Sequence, residues 1–182
     1  MDADLTAKPT FENGQVTSWQ LCNKTTASSE CGDGKSSSPY PKLEFLKGSG
    51  GHNIKVTIED GNGITFASTN PLWIQPNTKP TAPIVAPTSQ INPTQITGGG
   101  TTTLKFHDKN TDNILLKYQL NFANGNGVMA IDPDIKNGGK GFYSTDMLLV
   151  AGAVVIALVL LLWRVSAARR TNAARQSGTS SN

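Results

Sequence analysis

One stretch limits what this chain can fold into more than any other: residues 147–163 hold no charged or strongly polar side chain. As an α-helix such a run is about 25 Å long, close to the hydrocarbon core of a bilayer at about 30 Å. A buried helix of a soluble domain would carry a polar face, and this run has none. The sequence therefore predicts one C-terminal transmembrane α-helix over residues 146–164.

Met147 marks one end of the predicted membrane anchor, and Trp163 and Arg164 mark the other. Tryptophan prefers the membrane interface, and arginine extends its charged group out of the lipid while its stem stays inside. These residues compensate for a run that is slightly shorter than the bilayer core. We predict a single-pass membrane protein whose first partner is the lipid bilayer.

Two signals for the orientation in the membrane disagree. Arg169, Arg170 and Arg175 lie in a tail, residues 165–182, that contains no acid, which predicts a cytoplasmic tail and an extracytoplasmic N-terminal domain. However, the opening MDADLTAKPTF lacks the basic and apolar regions of a signal peptide. We expect the basic tail to be disordered and to contact anionic lipid rather than nucleic acid, because arginines without interleaved aromatic residues carry little specificity.

Apolar and polar side chains alternate with period two in residues 1–131, which is the pattern of half-buried strands. The clearest run is 114–122, with Leu116, Tyr118 and Leu120 on one face and Lys117 on the other. About eight short strands separated by turns predict an all-β fold, an antiparallel immunoglobulin-like sandwich. The predicted strands are 16–21, 43–46, 54–59, 64–67, 72–75, 102–107, 114–122 and 127–131. The predicted core comprises Trp19, Leu21, Phe45, Ile54, Val56, Ile58, Phe66, Trp73, Leu104, Phe106 and the apolar face of 114–122.

The connections between these strands are predicted from their turn residues. Residues 60–63 (DGNG) and 124–127 (NGNG) contain the Asn and Gly residues that accept positive φ, so each predicts a hairpin. Residues 76–93 hold five prolines, which a central strand does not tolerate. We predict an extended connection between two sheets there, with Ile84 and Val85 on an edge.

A stem is predicted between the β domain and the membrane, over residues 132–145. Asp132-Pro133 is expected to end the last strand, and the following NGGKG, residues 137–141, has the composition of a flexible linker.

Cys22 and Cys31 enclose a Ser/Thr-rich loop and have two interpretations. In an oxidising compartment they would form a disulfide, and in a reducing one they would stay free thiols. Zinc ranks behind both, because His52 and His107 are too distant in sequence to resemble a finger spacing.

Two acidic stretches offer weak candidates for a metal site. Asp108, Asn110 and Asp112 have the alternating oxygens of a calcium loop, but Asn113 replaces its glycine and Gln119 its last glutamate. Asp132 and Asp134 form a similar pair, which Lys136 interrupts. Such residues also cap turns between strands. We therefore predict no metal and no cofactor.

No catalytic signature is present: there is no Gly-x-Ser-x-Gly and no phosphate-binding glycine loop that leads into a helix. The sequence predicts a non-enzymatic binding or structural module with a protein or glycan partner. One alternative is a structural protein of a membrane-containing virion, with the arginine tail facing the genome. A second is a metal-dependent enzyme that uses the aspartates named above.

Overall fold

The computed structural model describes residues 2–25, 29–46 and 49–139, and within them the alternating pattern forms strands. The predicted anchor at 146–164 and basic tail at 165–182 lie outside these residues. No helix in the described part is long and apolar enough to cross a membrane. The strands are β1 (Ala3–Glu12), β2 (Gln15–Asn23), β3 (Glu30–Gly32), β4 (Leu43–Leu46), β5 (His52–Ile58), β6 (Thr65–Phe66), β7 (Leu72–Pro76), β8 (Thr103–Asp108), β9 (Leu115–Ala123), β10 (Ala130–Ile131) and β11 (Asp134–Gly139), with a 3₁₀ turn at Pro93–Gln95.

These strands form two sheets, so the all-β prediction is confirmed. The first sheet has the order β3-β2-β1-β5-β8. In the second, β9 pairs with β6, β7, β10 and β11, and β11 pairs in turn with β4. Apolar side chains of both sheets form one core. Trp19 of the first sheet stacks on Phe122 of the second, with ring centroids 3.8 Å apart, so the two sheets contact each other.

Both sheets are mixed, whereas the sequence analysis predicted purely antiparallel pairing. β1 runs parallel to β5, and β4 runs parallel to β11. The prediction was wrong on this point because period-two alternation identifies a strand and its buried face without carrying information on the direction of its neighbour.

The two predicted hairpins have different outcomes. Residues 124–127 connect β9 to β10, which pair antiparallel, and Asn124 and Gly127 have the positive φ expected of the turn. Residues 60–63 also turn with positive φ, but β5 lies in the first sheet and β6 pairs with β9 in the second. That turn therefore carries the chain between sheets and closes no hairpin.

The proline-rich connection is as predicted. It leads from β7 in the second sheet to β8 in the first. Val85 forms a parallel bridge with Ile74 at the edge of β7, and Ile84 is 39% exposed. The five prolines thus lie where few ladder hydrogen bonds are needed.

β1, β3 and β11 were not predicted as strands. β1 lies between β2 and β5 although it contains Pro9, which cannot donate to a ladder. Its pairing with β5 ends at Ala7, so the missing N–H of Pro9 lies past the end of that ladder. β3 has only three residues, too few to show alternation.

β11 corrects the predicted stem. Residues 134–139 form a strand between β9 and β4, and Ile135 is fully buried. Gly138 has φ +74° at a register shift in the pairing of β11 with β4. The glycine therefore allows the backbone conformation that this irregularity requires. The β domain therefore continues at least to Gly139, beyond the predicted boundary at residue 131.

The predicted core is buried with two exceptions. Trp73 and Ile114 are only partly buried. In β7 the buried face carries Leu72 and Ile74, and Trp73 lies on the opposite face. The prediction of Trp73 as a core residue was wrong because successive residues of a strand point to opposite faces.

Candidate functional site

A groove of about 580 Å³ lies on the outer face of the first sheet, where β1, β5 and β8 are neighbours. Alternate residues of these strands enter the core, and the residues between them point outward. The 3₁₀ turn contributes Gln95 at one side. The polar lining residues are Asp2, Asp4, Asn53, Lys55, Gln95, Lys105 and His107.

Hydrogen bonds and an ion pair hold most of these polar groups in position. Lys55 Nζ lies 2.7 Å from Asp4 Oδ2. The backbone N–H of Asn53 donates to Asp2 Oδ1 at 3.0 Å, and this hydrogen bond lowers the pKa of the Asp2 carboxyl. The Asn53 side-chain oxygen is 3.0 Å from His107 Nδ1. The groove thus has a preorganised wall of donors and acceptors.

Lys105 differs from its neighbours in the groove. Its side chain is exposed, and within the described part of the chain it has no ion pair. It stands directly opposite Lys55 in the β5–β8 ladder, where the Asp4 carboxylate offsets only one of the two charges. Lys105 is therefore the cation of the groove that is available to a partner.

A second polar feature is buried at the end of β8, and we call it the Asp108 cluster: Gln90, Asp108, Asn110 and Asn137. Asp108 and Asn137 are both 0% exposed. Asn137 Nδ2 donates to Asp108 Oδ1 at 2.9 Å and to Gln90 Oε1 at 3.1 Å. The backbone N–H of Asn110 donates to the same Asp108 oxygen at 2.9 Å. Burial raises the pKa of the Asp108 carboxyl.

Asn110 connects this cluster to the segment before β5. Its amide Nδ2 lies 2.8 Å from the carbonyl of Leu46 and 3.1 Å from Ser49 Oγ. Ser49 Oγ is also 2.8 Å from His52 Nε2, and the His52 ring stacks on Phe45. This serine–histidine contact resembles a nucleophile and its base.

The hydrogen bonds of Ser49 oppose that catalytic interpretation. Its hydroxyl donates to the Leu46 carbonyl at 2.8 Å, which engages the one hydrogen that the hydroxyl carries. His52 Nε2 is then the donor to Ser49, the reverse of what proton abstraction from a serine requires. The contact therefore serves to hold the turn before β5.

The structure brings together only part of the weak calcium candidate. Asp108 and Asn110 share the cluster, whereas Asp112 is exposed, and the side chain that contacts Asp108 is that of Asn137 from β11. Asp132 and Asp134 form ion pairs with Lys79 at 2.6 Å and Lys117 at 2.8 Å. Within residues 2–25, 29–46 and 49–139, no three His, Cys, Asp or Glu side chains are grouped to hold a metal ion.

Cys22 and Cys31 lie opposite each other on β2 and β3 and form a disulfide. Of the two interpretations, disulfide and free thiols, the structure agrees with the disulfide. The bond closes a loop with a sequence separation of 9. By the chain-entropy argument, a loop of this size contributes about 2–3 kcal/mol to stability.

Compared with known protein families and with curated proteins, the sequence has no match in either.

The groove and two members of the Asp108 cluster, Gln90 and Asn137, were not predicted from the sequence. The alternation in 52–58 and 103–108 contains enough signal to place Asn53, Lys55, Lys105 and His107 on outward faces. Nothing in the sequence joins these faces to Asp2 and Asp4, because that contact depends on the parallel pairing of β1 with β5. Gln90 and Asn137 lacked any local signal.

Proposed function

We propose that this protein is a membrane-anchored β-sandwich of immunoglobulin-like type that acts as a non-enzymatic binding or structural module. The inter-sheet contacts support the sandwich, since Phe106 and Tyr118 of opposite sheets also meet, with ring centroids 6.2 Å apart. The 17-residue apolar run at 147–163 supports the anchor.

The observation that carries the binding function is the polar groove on β1, β5 and β8. It offers both donors and acceptors, and several of them are held by their own hydrogen bonds, which lowers the ordering cost of binding. Glycans and peptide backbones likewise carry both donors and acceptors. A protein or glycan partner therefore suits this surface.

We expect the substitution Lys105→Ala to weaken partner binding roughly tenfold or more, because a hydrogen bond to a charged group contributes about 1.5–3 kcal/mol. The measurement is retention of the detergent-solubilised full chain on a glycan array and on immobilised extracts, followed by affinity measurement for each partner found. Lys109→Ala is the matched control, since Lys109 is an exposed lysine of the same segment that does not line the groove. Equal losses in both variants would argue against the groove as the binding site.

We expect the full chain to float with neutral lipid vesicles in a density gradient, and a variant without residues 146–164 to remain at the bottom. The physical reason is the apolar surface of the run, which the bilayer core accommodates. Removal of residues 165–182 alone is the control and should leave flotation intact, because neutral lipid offers no charge to the arginines. Flotation of the variant that lacks 146–164 would contradict the proposed anchor.

A further inference from the structure

Three buried oxygen atoms of the Asp108 cluster have no hydrogen-bond partner in the described part of the chain: Asp108 Oδ2, Asn110 Oδ1 and Asn137 Oδ1. Asp108 and Asn110 lie in one segment, and Asn137 lies in another, 29 residues after Asp108 in the sequence. Buried polar atoms in native proteins nearly always have a hydrogen-bond partner. Three unpartnered oxygens in one cluster therefore indicate a ligand.

The orientation of the two amides is determined by their donors. Asn137 Nδ2 uses its hydrogens on Asp108 Oδ1 and Gln90 Oε1. Asn110 Nδ2 faces three acceptors: the Leu46 carbonyl, Ser49 Oγ and the Gly50 carbonyl. A flipped amide would set oxygen against oxygen in both cases. The unpartnered atoms are therefore acceptors, and what they lack is positive charge or a donor.

Hydrogen bonds join the three residues that carry an unpartnered oxygen directly to one another. Both the Asn137 side chain and the Asn110 backbone donate to the same Asp108 oxygen, each at 2.9 Å. Asp108 and Asn137 are 0% exposed and Asn110 is 4% exposed. Among the described residues no lysine or arginine forms an ion pair with Asp108, and the nearby positive groups that favour its charged form are His52 and His107. A buried carboxylate is costly unless further positive charge or donors reach it.

We propose that Asp108 Oδ2, Asn110 Oδ1 and Asn137 Oδ1 are protein ligands of a Ca²⁺ ion. Carboxylate and amide oxygens are the ligands that Ca²⁺ takes in proteins, and its flexible geometry accepts further oxygens from carbonyls or water. The ligand set carries one negative charge, so the affinity falls in the weak range of about 10⁻⁴–10⁻³ M. Asn137 supplies the third oxygen in place of Asp112.

The test is thermal unfolding of the full chain in a neutral detergent, with CaCl₂ up to about 10 mM, above the weak range of low-charge sites. We expect CaCl₂ to raise the unfolding temperature, and NaCl or MgCl₂ at equal ionic strength to raise it less, because Mg²⁺ demands a tighter octahedral shell. Titration calorimetry with CaCl₂ measures the same binding directly. Equal shifts with all three salts, or no heat of binding, would overturn the proposal.

Three variants locate the binding. Asp108→Asn removes the only charge of the set and should abolish the Ca²⁺-dependent shift. Asn137→Asp adds a second carboxylate and should raise Ca²⁺ affinity about tenfold or more, because ligand charge sets the affinity of such sites. Asp112→Asn removes an exposed charge of the same loop and should leave the shift unchanged.

Asn137→Asp also separates a cation site from a cluster of internal hydrogen bonds. Without Ca²⁺ this variant should be less stable than wild type, because two carboxylates then share one buried site and the Nδ2 donor to Asp108 Oδ1 and Gln90 Oε1 is lost. CaCl₂ should raise its unfolding temperature more than it raises that of wild type, because the added charge strengthens Ca²⁺ binding. If CaCl₂ shifts this variant no more than wild type, or if Asp108→Asn keeps the wild-type shift, the proposal is wrong. Should Asp108→Asn fail to fold, wild type and Asn137→Asp decide.

Discussion

Trp19→Ala is expected to lower the free energy of unfolding by about 3–5 kcal/mol, the cost of truncating a buried aromatic residue. Trp19 is 1% exposed and stacks on Phe122, so its loss opens a cavity between the two sheets. Its indole N–H donates to the Val128 carbonyl at 2.6 Å, and this hydrogen bond would also be lost. Denaturant unfolding of the full chain in detergent measures the change.

Trp73→Ala is the matched control for this prediction. Trp73 is the same residue type, but it lies on the partly exposed face of β7. Less of its surface returns to water on unfolding, so its truncation should cost clearly less than that of Trp19. Equal losses in the two variants would show that Trp19 does not hold the sheets together as the structure indicates.

Ile135→Ala is expected to cost about 2–5 kcal/mol of stability, because Ile135 is fully buried in β11 between β9 and β4. Residues 132–145 were predicted to be a flexible stem. In such a stem the same substitution would change the free energy of unfolding very little. The experiment therefore decides directly between the observed strand and the predicted linker. The measurement is denaturant unfolding of wild type and variant. The slope of the free energy of unfolding against denaturant concentration should be the same for both, so that the difference reports stability alone.

Lys136→Ala is the control for Ile135→Ala, one position further along the same strand. Lys136 is only partly buried and lies 3.9 Å from Glu44, a long ion pair near the surface. Such pairs contribute about 0–1 kcal/mol. If Ile135→Ala changes stability no more than Lys136→Ala does, β11 is not part of the folded core.

Local pattern predicted the strongest elements well. The run 114–122 became β9, with Leu116, Tyr118 and Leu120 buried as expected, and the turn at 124–127 closes its hairpin. Alternation and turn chemistry are both properties of neighbouring residues, so they can be seen without a fold. β11 was not predicted as a strand because Asn137 and the two glycines that follow it have the composition of a linker.

The candidate sites show where local pattern ends. Asp108 and Asn110 lie two apart, and their oxygen pattern was visible in the sequence. Asn137 belongs to the same cluster only because the fold places β11 within hydrogen-bond distance of Asp108. Gln90 lies in the proline-rich connection and contacts Asn137. The groove likewise requires β1 beside β5. No spacing rule joins residues that are brought together by strand order.

By itself, the sequence determined the apolar run at 147–163, the β character of residues 1–131 and the buried faces of β2, β5, β8 and β9. These properties follow from the hydrophobicity of adjacent residues and from the geometry of the extended chain. Only the tertiary structure decided the parallel pairings, the inclusion of β11, the groove and the third oxygen of the Asp108 cluster. Strand order and direction depend on which long-range pairing buries the most apolar surface, and that competition involves the whole chain at once.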